Sequence, residues 1–536
     1  MGLDQNTFRV NRPINQNAVC GLILFCLPGI YTALTGLGAG GGKASSGTVA
    51  NQTNAILYGL FALFACLGGT IVNLLRPRLS MFIGSFGYPL YVGAMWYYDR
   101  TGHPWFPLFA GAVLGTLCGI LTTCCGMIAI SYSEEKEKGL FIAMQWAIRA
   151  VGATTAAAIS LGINIDKTTT SGVADSVYIA FVVIQCSSLL LSAFLIVDTR
   201  KVKRDNGTHL AIVKQPTLMH EIKALARCFA DKRLLLLVPA SLGYEMALAL
   251  VSTINGFYFN LRTRSLNNFS FQVIQLLGPI LMILGFDGKH IQSRKTRGLL
   301  GVAITGSIAV GACTGLYGWL DVVNWSSLTE APRTDWSNQH YGGFFVIYLL
   351  YGLIYSCFQM AAEWIIASLS NDPSVLAQYA GFFRGLASLG MCLSFILAAQ
   401  KVPQYGQVTF QLILYILGIM GMVCVLVFYV TQSNYFREDN TIAPHNVEQD
   451  AFVRGKLTQE QLEQEYQKEK IAAGQGTRRD HRRGYHRAHS GSEGVRILLD
   501  MAMRKIRCFG DGDLWVTGEK DGEVKEMAGV PGSWII

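Results

Sequence analysis

About a dozen apolar stretches, each near the length of a bilayer crossing, fill residues 18–430 and decide the solvent in which this chain folds. A hydrocarbon layer of about 30 Å takes about 20 helical residues to cross. Stretches 55–75, 107–130, 177–197, 299–320 and 408–430 reach that length with almost no charge. Composition follows suit, with 51% hydrophobic residues, 15% charged residues and 57 glycines. Glycine lets helix backbones approach closely where lipid supplies no hydrophobic push between helices. The runs are continuous rather than alternating, which excludes a barrel of roughly ten-residue alternating strands.

The formal charge of +9 is distributed as a topology signal rather than as a nucleic-acid surface. Residues 431–536 carry 16 basic against 17 acidic side chains, so the excess lies in residues 1–430, with 28 against 18. With the N-terminus inside, the loops after even-numbered spans hold Arg76, Arg78, Lys136, Lys138, the dense segment 200–233, and Lys289, Arg294, Lys295 and Arg297. The opposite loops hold isolated cations and one pair, Arg262 and Arg264. That is the asymmetry of the positive-inside rule, and it places both termini in the cytosol. Asn51, Asn268 and Asn324 head sequons on the outer side and are expected glycosylation acceptors, Asn324 foremost because its loop is the longest. Most of the 13 cysteines sit within spans, where small apolar packing is their expected role. A polar stretch of about 17 residues precedes the first span and no cleavage site follows it, so a cleavable signal peptide is not expected.

The organisation is a cytosolic N-terminus (1–17), six spans (18–197), a basic cytosolic loop (198–233), six more spans (234–430) and a cytosolic tail (431–536). A long central loop between two sets of six predicts two packed bundles with a solute site near the midplane. The loop is expected to carry an amphipathic helix around 220–229. In the tail, Thr458-Gln-Glu-Gln461 has the form of a capping box opening a polar helix. The basic run 478–489 and the amphipathic segment 495–509 fit either anionic lipid or disorder.

Four blocks resemble the fungal branch of the uncoordinated-93-like family: Gly29-Ile-Tyr-Thr-Ala-Leu-Thr-Gly-Leu-Gly-Ala-Gly-Gly41, Ser131-Tyr-Ser-Glu-Glu-Lys-Glu-Lys-Gly139, Tyr258-Phe-Asn-Leu-Arg-Thr-Arg-Ser-Leu266 and Ser370-Asn-Asp-Pro-Ser-Val-Leu-Ala-Gln-Tyr-Ala-Gly381. The resemblance covers residues 15 to about 435. It implies an all-α membrane protein of the major facilitator superfamily, with twelve transmembrane helices in two six-helix bundles. It also makes a plasma or vacuolar membrane plausible. The superfamily's cytosolic gate usually pairs an acid with basic residues between helices 2 and 3. Here Gly69-Thr-Ile-Val-Asn73 with Arg76 and Arg78 resembles it, with Asn73 in the acid's place. Asp287, followed by Arg294, Lys295 and Arg297, is a looser second-half counterpart, and these cations also fit plain topology signals.

Ionisable groups inside the spans are the sharpest chemical clue, because each costs at least about 2.5 kcal/mol at bilayer depth unless paired or wetted. Arg149 in helix 5 and Glu245 in helix 7 share a depth near the midplane, about 15 Å from the cytosolic face at the helical rise. They are the candidates for a central cavity, as a charge pair that opens and closes with Glu245 taking a coupling proton, or as a static structural pair. Glu363 and Arg384 flank the turn at Asn371-Asp-Pro373 and fit a clasp between helices 10 and 11. Asp372 fits an N-cap or gate acceptor. No His or Cys cluster has ligand spacing, so no metal is expected. The G-x-G-x-x-G at 36–41 closes an apolar helix instead of following a strand, so no nucleotide cofactor is expected.

No nucleophile, base and orienting group stand at recognisable spacing, which points away from an enzyme. Two function classes fit the residues. One is a transporter moving a small, unidentified solute by alternating access, with proton coupling at the midplane charges. The other is a non-transporting regulatory or chaperone-like partner of another membrane protein, an ion channel or receptor, as the animal relatives of the resembling family imply. The lipid bilayer is the common partner and nucleic acid is not one.

Overall fold

The computed structural model describes residues 9–32, 47–165 and 175–472, apart from short breaks at 206, 212–216, 288–290, 292, 329, 401, 455–457, 459–460 and 462–463. The motif at 36–41 and the basic segments beyond residue 473 lie outside the described residues. Contacts divide the chain into a unit Met1–Gly484 and a second, Tyr485–Ile536, all of which lies outside the described residues.

The described chain is helical, as continuous apolar runs require when every backbone N–H and C=O in lipid must be satisfied within its own segment. In the first half, α1 runs Pro13–Leu24 and continues through a π-helical turn, Phe25–Gly29, to Thr32. It is followed by α2 Gly47–Leu75, α3 Pro77–Ser85 resuming as Gly87–Thr101, α4 Trp105–Ser131, α5 Lys138–Asn164 and α6 Asp175–Phe194. In the second half, a short turn Lys232–Leu236 leads into α7 Val238–Tyr258. Then come α8 Leu261–Ile274 resuming as Leu277–Phe286, α9 Arg294–Val322, α10 Tyr341–Ala367, α11 Pro373–Ala399 and α12 Gln404–Phe428. Among the described residues nine of these are long and apolar enough to cross a bilayer on their own, and α3, α6 and α7 complete two sets of six.

The halves meet along two seams, α2 on α11 and α5 on α8. Adding six to each number of the first pair, modulo twelve, gives the second, so the two seams occupy equivalent positions in the two sets of six. Between the halves the linker forms a helix, Leu218–Ala230. It rests at one end of the bundle, with Phe229 edge-on to Phe382 of α11 at 5.1 Å. We call this the hinge end.

Two sequence expectations need correction. Helix α8, whose span the apolar pattern alone places at about 269–286, begins at Leu261 and takes Arg262, Arg264 and Asn268 out of the loop and into helix. Hydropathy misses this start because its polar residues are satisfied internally: Asn267 donates to Asn255 at 2.8 Å, and Arg262 pairs with Asp335. Asn268 is consequently 1% exposed, and a buried amide inside a formed helix cannot accept a glycan. Asn324 is exposed at the far end of α9, with positive φ (48°), while the side chain of Asn51 lies outside the described residues.

The chain after α12 returns to the hinge end. Arg204 of the linker is buried and donates to the Ile442 carbonyl at 3.0 Å, and His209 bonds Glu469 at 2.7 Å. Thr458 and Gln461 exchange reciprocal bonds, side-chain oxygen to backbone N–H, at 3.0 and 3.3 Å. That is a formed capping box.

Candidate functional site

A cavity opens between the halves, with about 830 Å³ of empty space including its mouth. Its walls come from α1, α2, α3, α4 and α5 of the first half and from α7, α10 and α11 of the second. Arg149, Glu245, Glu363 and Arg384 all line it. Sequence reasoning separates these charges into two pairs at two depths, whereas the fold gathers them around one space.

Local packing explains how each is positioned. The π turn in α1 contains Pro28, which interrupts the regular ladder and directs Tyr31 and Thr32 toward the cavity. At that turn α1 lies backbone to backbone on α5, since a Cβ on Gly152 would stand 2.6 Å from the Phe25 carbonyl oxygen. Arg149, one turn before Gly152, is thereby presented to the cavity beside Trp146, whose ring it covers at 4.8 Å. On the other wall, a Cβ on Gly390 of α11 would stand 2.0 Å from the Leu242 carbonyl of α7. Only glycine permits that approach, which brings Arg384 of α11 to Tyr244 and Glu245 of α7.

The polar connections run in a chain. Arg384 hydrogen-bonds and ion-pairs with Glu363, which also accepts from Gln359 at 3.0 Å. Arg384 further donates to the Tyr244 hydroxyl at 3.4 Å, and that hydroxyl donates to Glu245 at 3.5 Å. Arg149 donates to the Tyr355 hydroxyl at 3.4 Å. Arg149 and Glu245 do not form an ion pair in this conformation: tyrosines, Tyr355 and Tyr244, take up the contacts instead, with ring centroids 6.5 Å apart. The cavity thus holds two guanidinium and two carboxyl groups, of which one pair is closed and one is apart.

Polar bonds between the halves gather at the hinge end. Lys138, 1% exposed at the start of α5, donates to the carbonyls of Ala367 and Ser370 and to Asn371 Oδ1, the last two at 2.9 Å. Asp287 accepts the backbone N–H groups of Gly139 and Leu140, at 3.2 and 2.6 Å. Glu135 accepts from Asn371 Nδ2 at 2.7 Å and from the Asn434 backbone at 2.6 Å. Asp372 caps α11 through the Ser374 N–H at 2.9 Å and accepts from Asn440 at 3.1 Å.

Asn73 occupies the position where the resembling superfamily has an acid, and the acid arrives from elsewhere. Glu221 of the linker helix, 3% exposed, accepts from Asn73 at 2.9 Å and from Gln378 of α11 at 2.6 Å. Arg76 pairs instead with Asp198 at 2.7 Å, from a strained positive φ of 70°, and Arg78 caps the end of α6 at the Ala193 carbonyl. Sequence reasoning misses Glu221, Glu135 and Lys138. The first lies on a helix whose docking is tertiary, and the other two read as loop charges.

Burial pushes the Asp287 carboxyl, beyond the end of its span, up to about 6, against the pull of its two N–H donors and Arg297. A carboxyl held this way keeps its proton more tightly folded than unfolded. Its stabilising contribution is complete below about pH 4, the ordinary unfolded value, and is lost as pH rises through about 6. The melting temperature of the wild type is expected to fall between pH 4 and 6 relative to Asp287→Asn. Parallel curves for the two proteins remove the assignment.

Two halves of six helices around a central cavity define a multi-pass membrane protein of the major facilitator fold. The E. coli fucose:proton symporter, of the same fold, superposes with a TM-score of 0.54 at 11% identity, over 78% of this chain and 98% of its own. A bacterial homologue of the iron transporter ferroportin gives 0.56 at 12%, over 77% and 99%. The family profile described as "Ion channel regulatory protein UNC-93" matches residues 46–294. An uncharacterized membrane protein of Schizosaccharomyces pombe is 40% identical over 392 residues, 73% of this chain and 80% of its own. UNC93-like protein 1 of Arabidopsis thaliana is 33% identical over 438 residues, 80% and 93%. The chain belongs to the UNC-93-like family.

Proposed function

We propose that the protein moves a small solute across its membrane by alternating access, with the central cavity as the site and Glu245 as the group that takes a coupling proton. The observation that carries this reading is the gathering of four ionisable side chains from both halves around one cavity at bilayer depth. Such groups are costly in lipid and persist where they serve a pathway or relay. Glu245 is the least engaged of the four acids and bases: among the described residues it has one long hydrogen bond and no ion pair within 4.0 Å. Arg149 sits in the opposite half, so rocking of the halves changes the distance between these two charges. Asn73, Arg76, Arg78, Asp287 and Asp372 act as the gate at the hinge end, with the Glu363–Arg384 pair as the clasp between α10 and α11.

The hinge end is the cytosolic one in this reading, because the basic loops gather there, and the cavity then opens outward. Asn324 lies at the opposite end. Treatment with a glycosidase is expected to shift the mobility of the wild type and not of Asn324→Gln; a reporter showing residue 324 on the cytosolic side reverses the orientation.

The test of transport is a metabolite comparison between cells lacking and overproducing the protein, followed by flux of the enriched solute in proteoliposomes. Glu245→Gln is expected to abolish the pH dependence of that flux. Unchanged pH dependence removes the coupling role. A second reading, a regulatory subunit of an ion channel or receptor, is favoured by the description of the matching family as ion channel regulatory. A channel or receptor retained in stoichiometric amount on purification, with no flux for any solute, decides for it.

A further inference from the structure

The polar groups of the cavity divide into those already matched and those left waiting. Arg384 and Glu363 neutralise each other. Gln145 donates to Asn17 Oδ1 at 2.7 Å and to the Cys125 carbonyl at 3.0 Å, and Thr122 donates to the Cys118 carbonyl at 2.8 Å. Among the described residues three groups are not matched in this way. Trp146 is 4% exposed and lines the cavity, and among the described residues its indole N–H has no hydrogen-bond partner. Arg149, stacked on that indole, makes a single bond at 3.4 Å. Glu245, 8% exposed on the facing half, makes a single bond at 3.5 Å.

An unpaired buried donor costs free energy comparable to a lost hydrogen bond, and an unpaired charge costs more. The cavity therefore presents a cation with an adjacent N–H donor on one wall and an anion on the other, and Leu57, Phe61 and Leu114 add apolar surface to its lining. The four ionisable groups sum to zero when all are charged. A ligand bearing a single charge satisfies one wall, leaves the other bare, and brings net charge to bilayer depth. A neutral ligand carrying both charges satisfies both walls and brings none.

Resting on the transport reading of this cavity, we propose that its ligand class is a small zwitterion with an apolar body. Its carboxylate meets the Arg149 guanidinium and the Trp146 N–H, and its ammonium meets Glu245. A proton and the ammonium then compete for one carboxylate, which is a direct physical route for coupling. The span between the two charges of the ligand is set by the walls, so probes of two spans are needed.

The experiment uses the full chain in lipid nanodiscs and reads binding by calorimetry, with no flux involved. L-Phenylalanine, with adjacent charges, is compared with phenylpropionate and phenethylamine; para-aminomethylbenzoate, with charges at opposite ends of a ring, is compared with para-toluate and para-methylbenzylamine. At least one zwitterion is expected to bind about tenfold or more tightly than either of its singly charged analogues, as a charge-assisted bond gained at a buried site implies. Arg149→Gln is expected to reduce that zwitterion to the level of its amine analogue, and Glu245→Gln to the level of its acid analogue. A singly charged probe that equals or exceeds both zwitterions overturns the proposal, as does the absence of binding by all six. The wild-type ranking decides even where a variant fails to fold. Zwitterion binding without flux of any solute sinks the transport reading alone, and flux of another solute class without zwitterion binding sinks this proposal alone.

Discussion

Replacing Arg384 with methionine is expected to destabilise the folded protein by about 3–5 kcal/mol, the loss seen when one partner of a buried ion pair is removed. Arg384 and Glu363 are only 15% and 11% exposed, so solvent screens the remaining charge little. Glu363 then keeps only the Gln359 bond, and the Tyr244 hydroxyl loses its donor. The loss reaches the cavity through Tyr244, which links Arg384 to Glu245. Converting both partners to methionine is expected to restore most of the stability, because no unmatched charge remains. Thermal unfolding in detergent, read by tryptophan fluorescence, checks both. A single variant as stable as the wild type removes the pair from the account of the fold.

Lys138→Met carries the second large effect, on the order of 3 kcal/mol, concentrated at the hinge end. Its ammonium stands at the N-terminus of its own helix, where the dipole disfavours a cation. The compensation comes from the other half, where it meets the Ala367 carbonyl that ends α10, the Ser370 carbonyl of the following turn and the Asn371 side chain. Methionine fills the same volume and leaves these acceptors buried without donors, at about 1–3 kcal/mol each before relaxation. Hydrogen exchange is expected to accelerate in 131–140 and 367–372 and to stay unchanged in the opposite loops. Uniform acceleration throughout the bundle would show that Lys138 serves general folding rather than closure of this end.

Much of the architecture is legible in the sequence, and the reasons it stops being legible are physical. Spans such as α4, whose apolar stretch 107–130 lies within the helix Trp105–Ser131, announce themselves because lipid demands continuous apolar length. The start of α8 does not, since Arg262, Asn267 and Asn268 are polar residues buried by mutual hydrogen bonding, which hydropathy counts as exposure. The breaks at Phe86 and at Gln275–Leu276 do have a signal, since Pro89 and Pro279 lack the N–H groups that would bond the carbonyls of Ser85 and Gln275. Each charge in the cavity is visible alone, as an ionisable residue inside an apolar run. Their meeting is not, because it depends on Gly152 and Gly390 allowing two pairs of helices, α1 with α5 and α7 with α11, to approach, and only tertiary packing reveals that. Asn73 reads as a missing acid because the chain position of Glu221, far away on the linker, gives no hint of its destination.

The hinge-end contacts also carry information about the order of assembly. Glu135 and Lys138 leave the ribosome in the first half, yet their partners, Ala367, Asn371 and Asn434, are synthesised 229 to 299 residues later. Until then both side chains wait at the membrane border as hydrated ions. The first bundle can therefore insert by itself, but its seal is completed only after the last span has emerged and the chain beyond it has folded back. A ribosome arrested before residue 434 leaves a nascent protein whose closing bolt has not yet been made.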